Sequence, residues 1–241
     1  MTDSMFEGVV FDLDGVIVDS HPLHKESWRA FLAYLGKEVP EADLDFILEG
    51  RKRREILVHF LGELSDSEIR LYGNKKDEFF RRASADLRPM SGSVEFIKNA
   101  RQAGLSMAVA TSASRQRARW TLEQLDLEEY FGVVVSGDDV ALGKPNPAVY
   151  RIAARRLSLS PKCLLAVEDS VSGVRSAIAA GLRCIAIAVP ENASPLSEAG
   201  ADRVVRSLVN LSIQDLEEMF SSQRTGQRVK SQRVKTVSVS Q

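Results

Sequence analysis

The chain has 241 residues, of which 44% are hydrophobic and 27% charged, and its formal net charge is −1 at pH 7. These values are typical of a globular protein with a sizeable core, and they give no reason to expect a nucleic-acid or membrane partner. No apolar segment approaches the roughly 20 residues of a membrane span, and the N-terminus lacks a signal-peptide pattern, so we expect a cytoplasmic protein.

The first predicted element is a buried strand that ends in two acids. An apolar run over 9–11 is followed by Asp12, Leu13, Asp14 and Gly15. Such a run, bounded by a turn signal, is typical of a strand in a parallel sheet. In open α/β sheets ligands bind outside the carboxyl ends of the strands, so this strand predicts two carboxylates at a functional edge.

The pattern then turns helical and remains so to Leu87. Ser65 through Glu68 has the form of a capping box that starts a long helix toward Leu87. Apolar residues recur at helical spacing in three earlier stripes: Trp28, Phe31, Leu32 and Leu35; Leu44, Ile47 and Leu48; Ile56, Leu57, Phe60 and Leu61. We therefore predict an all-helical insertion at residues 20–89, called the cap below.

Strand and helix patterns alternate after Pro89. The pattern predicts strands at Leu105–Ala110, Val133–Val135, Cys163–Val167, Cys184–Val189 and Arg203–Val205, and helices at Val94–Ala103, Arg115–Leu125, Pro147–Leu157 and Val171–Ala180. Such alternation predicts an α/β fold, a Rossmann-like doubly wound parallel sheet. Residues 1–19 and 90–220 would form this catalytic core, with the cap inserted after its first strand.

Residues 221–241 form a different kind of segment. They carry five basic residues and no acid, repeat Gln-Arg-Val-Lys, and contain few large apolar side chains. We predict a disordered basic tail, either a solvated end without a specific role or a binder of polyanions. The two cysteines, Cys163 and Cys184, lie in apolar runs and predict buried thiols in a reducing compartment.

Four polar clusters follow predicted strands and should meet in one crevice: Asp12 and Asp14; Thr111 and Ser112; Gly143, Lys144 and Pro145; Glu168 and Asp169. Carboxylates that repel one another favour a bound cation, and Mg²⁺ takes carboxylate and phosphate oxygens. A further aspartate can act as a nucleophile, and lysine and hydroxyl groups can stabilise transferring phosphate oxygens. The set therefore indicates phosphoryl transfer.

Each cluster also has a structural interpretation when it is taken alone. Acids end many strands as turn formers, and Lys144 before Pro145 is compatible with an ordinary loop lysine. Glu168, Asp169 and the following serine suit a helix start, where acids favour the dipole. The shared position at strand ends is what favours a catalytic site.

The four motifs, in this order and spacing, resemble the haloacid dehalogenase-like (HAD) superfamily. The motifs are Phe-Asp-Leu-Asp-Gly-Val, Ala-Thr-Ser, Gly-Lys-Pro-Asn-Pro and Val-Glu-Asp-Ser-Val-Ser-Gly, and the resemblance covers roughly residues 6–220. It implies an aspartyl-phosphate mechanism with Mg²⁺ as cofactor. By resemblance Asp12 is the nucleophile, Asp14 the general acid/base, and Thr111 and Lys144 stabilise the phosphoryl group.

The resemblance also implies the metal site and the kind of substrate. Asp12, Glu168, Asp169 and the carbonyl of Asp14 would hold Mg²⁺, with Ser112 near the substrate. The acid at position 14 favours phosphate esters over the dehalogenase and phosphonate branches. We expect a small phosphorylated metabolite as partner and a monomer or weak dimer.

Within the superfamily the chain looks most like the β-phosphoglucomutase, sugar-phosphatase and phosphoglycolate-phosphatase branch. His24 resembles a hinge histidine that assists the acid/base aspartate, and Gly50 and Arg53 resemble a substrate loop in the cap. Glu49 stands where the mutases have lysine, and an acid is a poor neighbour for a second phosphate. The prediction is therefore a phosphatase of a small phosphomonoester, with a β-phosphoglucomutase-type phosphomutase as the alternative.

Two hypotheses from other classes fit the sequence less well. Receiver domains also combine a sheet-end aspartate, Mg²⁺ and a lysine, but they have no large helical insertion after the first strand. A catalytically silent binding protein finds no support, because no catalytic position of the family pattern is missing.

Overall fold

The computed structural model describes residues 6–209 and 211–221 and contains a six-stranded parallel sheet. The strands are β1 (Gly8–Phe11), β2 (Ser106–Ala110), β3 (Val133–Val135), β4 (Leu164–Glu168), β5 (Arg183–Ile187) and β6 (Arg203–Val205). Their order is β3-β2-β1-β4-β5-β6, so β1 lies at the centre, paired with β2 and β4. The predicted doubly wound α/β class is confirmed, because the order reverses beside β1.

Helices cover both faces of the sheet. They are α4 (Ser93–Gln102), α5 (Arg115–Gln124), α6 (Ala148–Leu157), α7 (Val171–Ala180), α8 (Ala193–Glu198) and a final helix over 213–221. Alternate residues of β1 enter different clusters: Val9 and Phe11 pack with α4, α5 and the final helix, and Val10 packs with α6 and α7. Burial on both faces explains why β1 is apolar at every position.

The cap consists of α1 (His21–Tyr34), a 3₁₀ segment (Glu41–Leu48), α2 (Arg53–Leu61) and α3 (Asp66–Ala83). No residue between 21 and 87, all of which the structure describes, lies in a strand. The stripe at 44–48 forms 3₁₀ turns rather than an α-helix. The cap has its own core, formed by Trp28, Phe31, Leu32, Leu44, Ile47, Ile56 and Leu57.

The long helix α3 begins as expected and ends early. The Ser65 hydroxyl accepts from the Glu68 backbone N–H, and the Glu68 carboxylate accepts from the Ser65 backbone N–H, which completes the capping box. The helix stops at Ala83 rather than near Leu87, and the Ser84 hydroxyl donates to the Phe80 carbonyl at 2.6 Å. That bond gives a carbonyl of the last turn a donor from outside the regular helical pattern.

The two connections between core and cap run side by side. The Asp19 N–H donates to the Arg88 carbonyl at 2.9 Å, and the Met90 N–H donates to the Ile17 carbonyl at 2.8 Å. Val18 and Pro89 form an isolated antiparallel bridge between them. The predicted boundaries near residues 20 and 89 remain a prediction, and this paired crossing is where they fall.

Three further predictions have different outcomes. The basic tail at 221–241 lies outside the described residues except for Ser221, which ends the final helix. Both cysteines are free, but Cys163 is half-exposed in a 3₁₀ turn before β4, so the prediction that it is buried was wrong. No helix among residues 6–209 and 211–221 is long and apolar enough to cross a membrane.

Candidate active site

A cavity of about 80 Å³ lies between the carboxyl ends of β1, β2 and β4 and the cap. Eight of the predicted site residues line it: Asp12, Asp14, His24, Gly50, Arg53, Thr111, Ser112 and Asp169. Lys144 and Glu168 lie buried beside it and contact the cluster around Asp12. The topology thus brings together the four predicted strand-end clusters and adds residues of the cap.

Three carboxylates form the floor of the site. Ligand oxygens of Asp12, Glu168 and Asp169 lie within 4.8 Å of one another. Burial raises the pKa of Asp12 from 3.8 to about 8, because the charges of Glu168 and Asp169 reinforce the effect and Lys144 only partly offsets it. A hard divalent cation takes such an all-oxygen set and removes the repulsion, so these residues fit one.

Glu168 connects this floor to a buried lysine. Its Oε1 accepts from the Tyr150 hydroxyl at 2.6 Å and also pairs with the Lys144 ammonium, whose Nζ lies 3.0 Å from Asp12. Its Oε2 accepts from the Asp169 N–H at 3.1 Å. Burial alone would lower the pKa of Lys144, but the two carboxylates outweigh burial and raise it. Lys144 therefore stays cationic beside Asp12.

Asp14 is held by three other side chains. The Arg117 guanidinium donates to both carboxylate oxygens, at 2.9 and 2.5 Å. The Ser20 hydroxyl donates to Oδ1 at 2.7 Å, and His24 Nε2 lies 3.1 Å from the same oxygen. Burial opposes ionisation, but Arg117 and His24 outweigh it and hold the pKa of Asp14 well below its usual range. The carboxylate is therefore ionised.

His24 stands between Asp14 and a second buried lysine. Lys76 Nζ lies 3.0 Å from His24 Nδ1. Burial and the Lys76 charge lower the pKa of His24 to about 3, so the ring is neutral. An ammonium can only donate and an ionised carboxylate can only accept, so the geometry assigns the Nε2–H tautomer. Burial, together with Arg117, lowers the pKa of Lys76 from 10.5 to about 7.

Gly15 allows Asp169 to approach the backbone of the first motif. Its φ is +75°, and a Cβ there would lie 1.8 Å from the Asp169 Oδ2. The same oxygen contacts His21 Nε2 at 3.0 Å, and this contact raises the pKa of His21 in spite of its burial. Only glycine combines this backbone conformation with this closeness.

Hydroxyl groups divide between the site and the cap. The Thr111 side-chain oxygen accepts from the Ala113 N–H at 3.0 Å, which leaves its proton free to donate to an anion in the cavity. The Ser112 hydroxyl donates to the Gly50 carbonyl at 2.6 Å, and the Ser172 hydroxyl donates to the Glu49 carbonyl. The loop at residues 49–52, called the cap loop below, is therefore docked on the core.

Arg53 lies at the cap end of the cavity. Its Nη1 donates to Asp77 Oδ2 at 2.8 Å, and a Cβ at Gly73 of α3 would lie 2.5 Å from its Nε. Because Gly73 has no side chain, α3 leaves room for the side chain of Arg53.

The Glu49 carboxylate pairs with Arg51 at 2.8 Å, and Glu49 lines a neighbouring cavity. The argument that the negative charge of Glu49 disfavours a second phosphate therefore loses its basis, because this charge is paired and faces another cavity.

Sequence reasoning missed several residues of the site: Ser20, His21, Lys76, Asp77, Arg117 and Tyr150. Trp28, which the sequence places only in an apolar helical stripe, lines the cavity as well as packing in the cap core. One signal was available for Arg117. It lies on the buried face of α5 with Ala118, Thr121 and Leu122, where an arginine needs a partner.

Comparisons with known proteins identify the family of the chain. A family model of haloacid dehalogenase-like hydrolases matches residues 6–181. The chain is 37% identical over 208 residues to a phosphorylated carbohydrates phosphatase of Thermotoga maritima, covering 83% of this chain and 94% of the relative. It is 31% identical to hexitol phosphatase A of Escherichia coli, covering 86% of this chain and 94% of that protein.

A solved structure agrees with the fold as well. The crystal structure of CbbY from Rhodobacter sphaeroides in complex with phosphate aligns with a TM-score of 0.77 at 30% identity, covering 86% of this chain and 96% of that one. The family match spans β1 through α7, which carry Asp12, Thr111, Lys144 and Asp169. The chain therefore belongs to the haloacid dehalogenase-like hydrolases.

Proposed function

We propose that the protein is a Mg²⁺-dependent phosphatase that hydrolyses a small phosphomonoester, a sugar phosphate, through an aspartyl-phosphate intermediate. The observation that carries the proposal is the position of Asp12, which lies among Lys144, Glu168 and Asp169 on a cavity that also receives Asp14 and Thr111. A nucleophile, a proton carrier and donors for phosphate oxygens thus converge on one place.

In the first step an oxygen of Asp12 attacks phosphorus, and the bond from phosphorus to the leaving oxygen breaks. Asp14 transfers a proton to that oxygen, so the product leaves as a neutral alcohol. Asp14 is ionised in the free site, and the negative charge of the incoming phosphate beside it favours proton uptake. Lys144 and the Thr111 hydroxyl stabilise charge on the transferring oxygens.

In the second step a water oxygen attacks the phosphorus of the aspartyl phosphate. Asp14 takes the proton from that water, the bond from phosphorus to the Asp12 oxygen breaks, and inorganic phosphate leaves. The Asp12 carboxylate is regenerated, and Asp14 releases the proton it took from the water once phosphate has left, which restores the ionised carboxylate of the free site. The ionised carboxylate that Arg117 and His24 stabilise suits this base role.

Asp12, Asp169 and Glu168 are the residues that would hold Mg²⁺, together with the Asp14 carbonyl that the family resemblance adds. The ion supplies charge compensation between the acids and the phosphate. Without it Asp12 takes up a proton near neutral pH, because burial and its acidic neighbours raise its pKa to about 8. A protonated Asp12 is a poor nucleophile.

The cap controls access to this chemistry. A cavity of about 80 Å³ is small for a sugar phosphate, and the cap loop is bonded to Ser112 and Ser172. Substrate entry therefore requires the cap to move, and its return excludes bulk water. The sugar-phosphate class rests on the two phosphatase relatives and on polar donors of the cap wall, Arg53 and Lys76.

The test is a screen of hexose, pentose and hexitol monophosphates with Mg²⁺ and with EDTA, measuring inorganic phosphate and sugar isomers together. We expect Mg²⁺-dependent phosphate release from at least one of them, and its loss in Asp12→Asn. Conversion of β-glucose 1-phosphate into glucose 6-phosphate without phosphate release would favour the phosphomutase instead. Phosphate release that survives in Asp12→Asn would refute the mechanism.

A further inference from the structure

Arg117 is the largest charged group in the site that the phosphoryl-transfer scheme leaves without a task. It is buried in the first turn of α5, and both of its terminal nitrogens contact the Asp14 carboxylate, at 2.9 and 2.5 Å. A two-pronged contact between planar groups fixes orientation as well as distance, which a single hydrogen bond does not.

We propose that Arg117 is a positioning residue that keeps the Asp14 carboxylate aimed into the site while the cap opens and closes. This inference rests on the proposed phosphatase function and adds a residue to it. The reasoning starts from where the partners of Asp14 are anchored. Ser20 lies at the hinge and His24 on α1 of the cap, whereas Arg117 and Asp14 both belong to the core.

Cap motion affects these partners differently. When the cap moves to admit substrate, His24 moves with it, and its contact of 3.1 Å with Asp14 is lost. The Arg117 contact joins the loop after β1 to α5, so opening leaves it intact. Asp14 therefore keeps a charged, two-pronged partner throughout the cycle, and water attack on the intermediate finds the carboxylate already in place.

Arg117 is itself held from several sides. Its backbone N–H donates at 3.3 Å to the hydroxyl of Ser114, the N-cap residue of α5. Its guanidinium lies over the Phe80 ring, 5.1 Å from the ring centre. Ser114 also donates to Asp77 at 3.0 Å, which ties the same helix start to α3. Phe80 and Asp77 belong to α3 of the cap, so these two contacts support Arg117 only while the cap is closed, whereas Ser114 belongs to the core and supports it throughout.

The test compares two esters whose leaving oxygens differ in basicity. Phenyl phosphate releases a basic oxygen that needs a proton, whereas p-nitrophenyl phosphate releases an anion that leaves without one. The kcat/KM for each reports the steps through transfer to Asp12. Arg117→Met and Asp14→Asn are measured with both esters, alone and combined, and Arg119→Met, an exposed arginine on the same helix, is the matched control.

We expect Arg117→Met to lower kcat/KM for phenyl phosphate by about tenfold to a hundredfold, and that for p-nitrophenyl phosphate by less than about threefold. The same loss should be absent when Asp14 is already asparagine, because the residue to be positioned has lost its function. Arg117→Lys keeps the charge without the two-pronged contact. Its kcat/KM for phenyl phosphate should lie between the values of the wild type and of Arg117→Met. Arg119→Met should match the wild type.

Three results would overturn the proposal. Equal losses for the two esters would indicate a general structural role for Arg117. A loss that adds to that of Asp14→Asn would place the arginine in a separate task. If Asp14→Asn lowers kcat/KM by the same factor for both esters, Asp14 does not supply the proton to the leaving oxygen. If Arg117→Met does not fold, the comparison of Arg117→Lys with Asp14→Asn decides. A wild type inactive on every phosphomonoester would instead refute the proposed function.

Discussion

Replacement of Asp12 by asparagine should end catalysis and at the same time stabilise the metal-free protein. Burial raises the pKa of Asp12 from 3.8 to about 8, because Glu168 and Asp169 reinforce the effect and Lys144 only partly opposes it. At pH 7 the unfolded chain has this carboxylate ionised, whereas the folded site favours the protonated form. Folding therefore takes up a proton at neutral pH, and asparagine avoids that cost.

The size of the effect follows from the pKa difference. One pKa unit corresponds to about 1.4 kcal/mol, so the shift costs the wild type about 4 kcal/mol at pH 7. Asparagine leaves Lys144 with Glu168 as its remaining charged partner, which reduces the expected gain to about 1–3 kcal/mol. The folded pKa of this acid lies above the unfolded one, so wild-type stability falls as the pH rises from about 4 to about 8.

Thermal denaturation at pH 4, 6 and 8 in EDTA measures this difference. We expect a higher Tm for Asp12→Asn at pH 8, by about 2–4 °C per kcal/mol, and equal values at pH 4. Excess Mg²⁺ should raise the Tm of the wild type more than that of the variant. Asp43→Asn, at an exposed acid, is the control. A variant that is less stable at pH 8, or equally stabilised at pH 4 and pH 8, would refute the reasoning.

Two further substitutions test how the site is built. Gly15→Ala places a Cβ 1.8 Å from an Asp169 oxygen, so it should weaken Mg²⁺ binding, measured by calorimetry, at least about tenfold. Gly36→Ala, also at positive φ but in open space, is the control and should lose stability while it keeps its Mg²⁺ affinity. Equal Mg²⁺ affinities of the two variants would contradict the argument. Burial lowers the pKa of Lys76 to about 7, below its unfolded value of 10.5, so wild-type stability should rise with pH between these values. Lys76→Met should remove that slope in denaturant melts and Lys75→Met, at a half-buried neighbour, should keep it; an unchanged slope in Lys76→Met would show that Lys76 is not the group responsible.

The sheet and the acids at its edge were accessible from sequence because they are local patterns. Asp12 and Asp14 directly follow an apolar run, and that arrangement is visible within eight residues. The run also requires burial on both faces, which only a central strand of a covered sheet provides. The predicted order of elements therefore translated into a sheet with β1 at its centre.

The contacts that hold Asp14 and His24 could not be predicted from the sequence, because they join positions that are far apart in the chain. Arg117 reaches Asp14 across 103 positions, and Lys76 reaches His24 across 52. The position of Arg117 on the buried face of α5 signals that it has a partner, but no pattern in the sequence names that partner. His21 showed no pattern that separated it from an ordinary helix residue until Asp169 was found beside it. Residue type alone does not distinguish a solvated arginine from one that pairs with a buried carboxylate.

The cap loop offers backbone carbonyls to the core at two positions and one side chain at a third. Ser112 and Ser172 donate to the carbonyls of Gly50 and Glu49, and the Lys52 ammonium of the cap donates to the Val140 carbonyl of the core at 2.6 Å. On the loop, the carbonyls that accept from Ser112 and Ser172 are present whatever side chain occupies those positions. Closure and substrate choice are thus largely separable properties, and divergence or engineering can alter cap side chains other than Lys52 toward new esters while the docking of the loop is inherited unchanged.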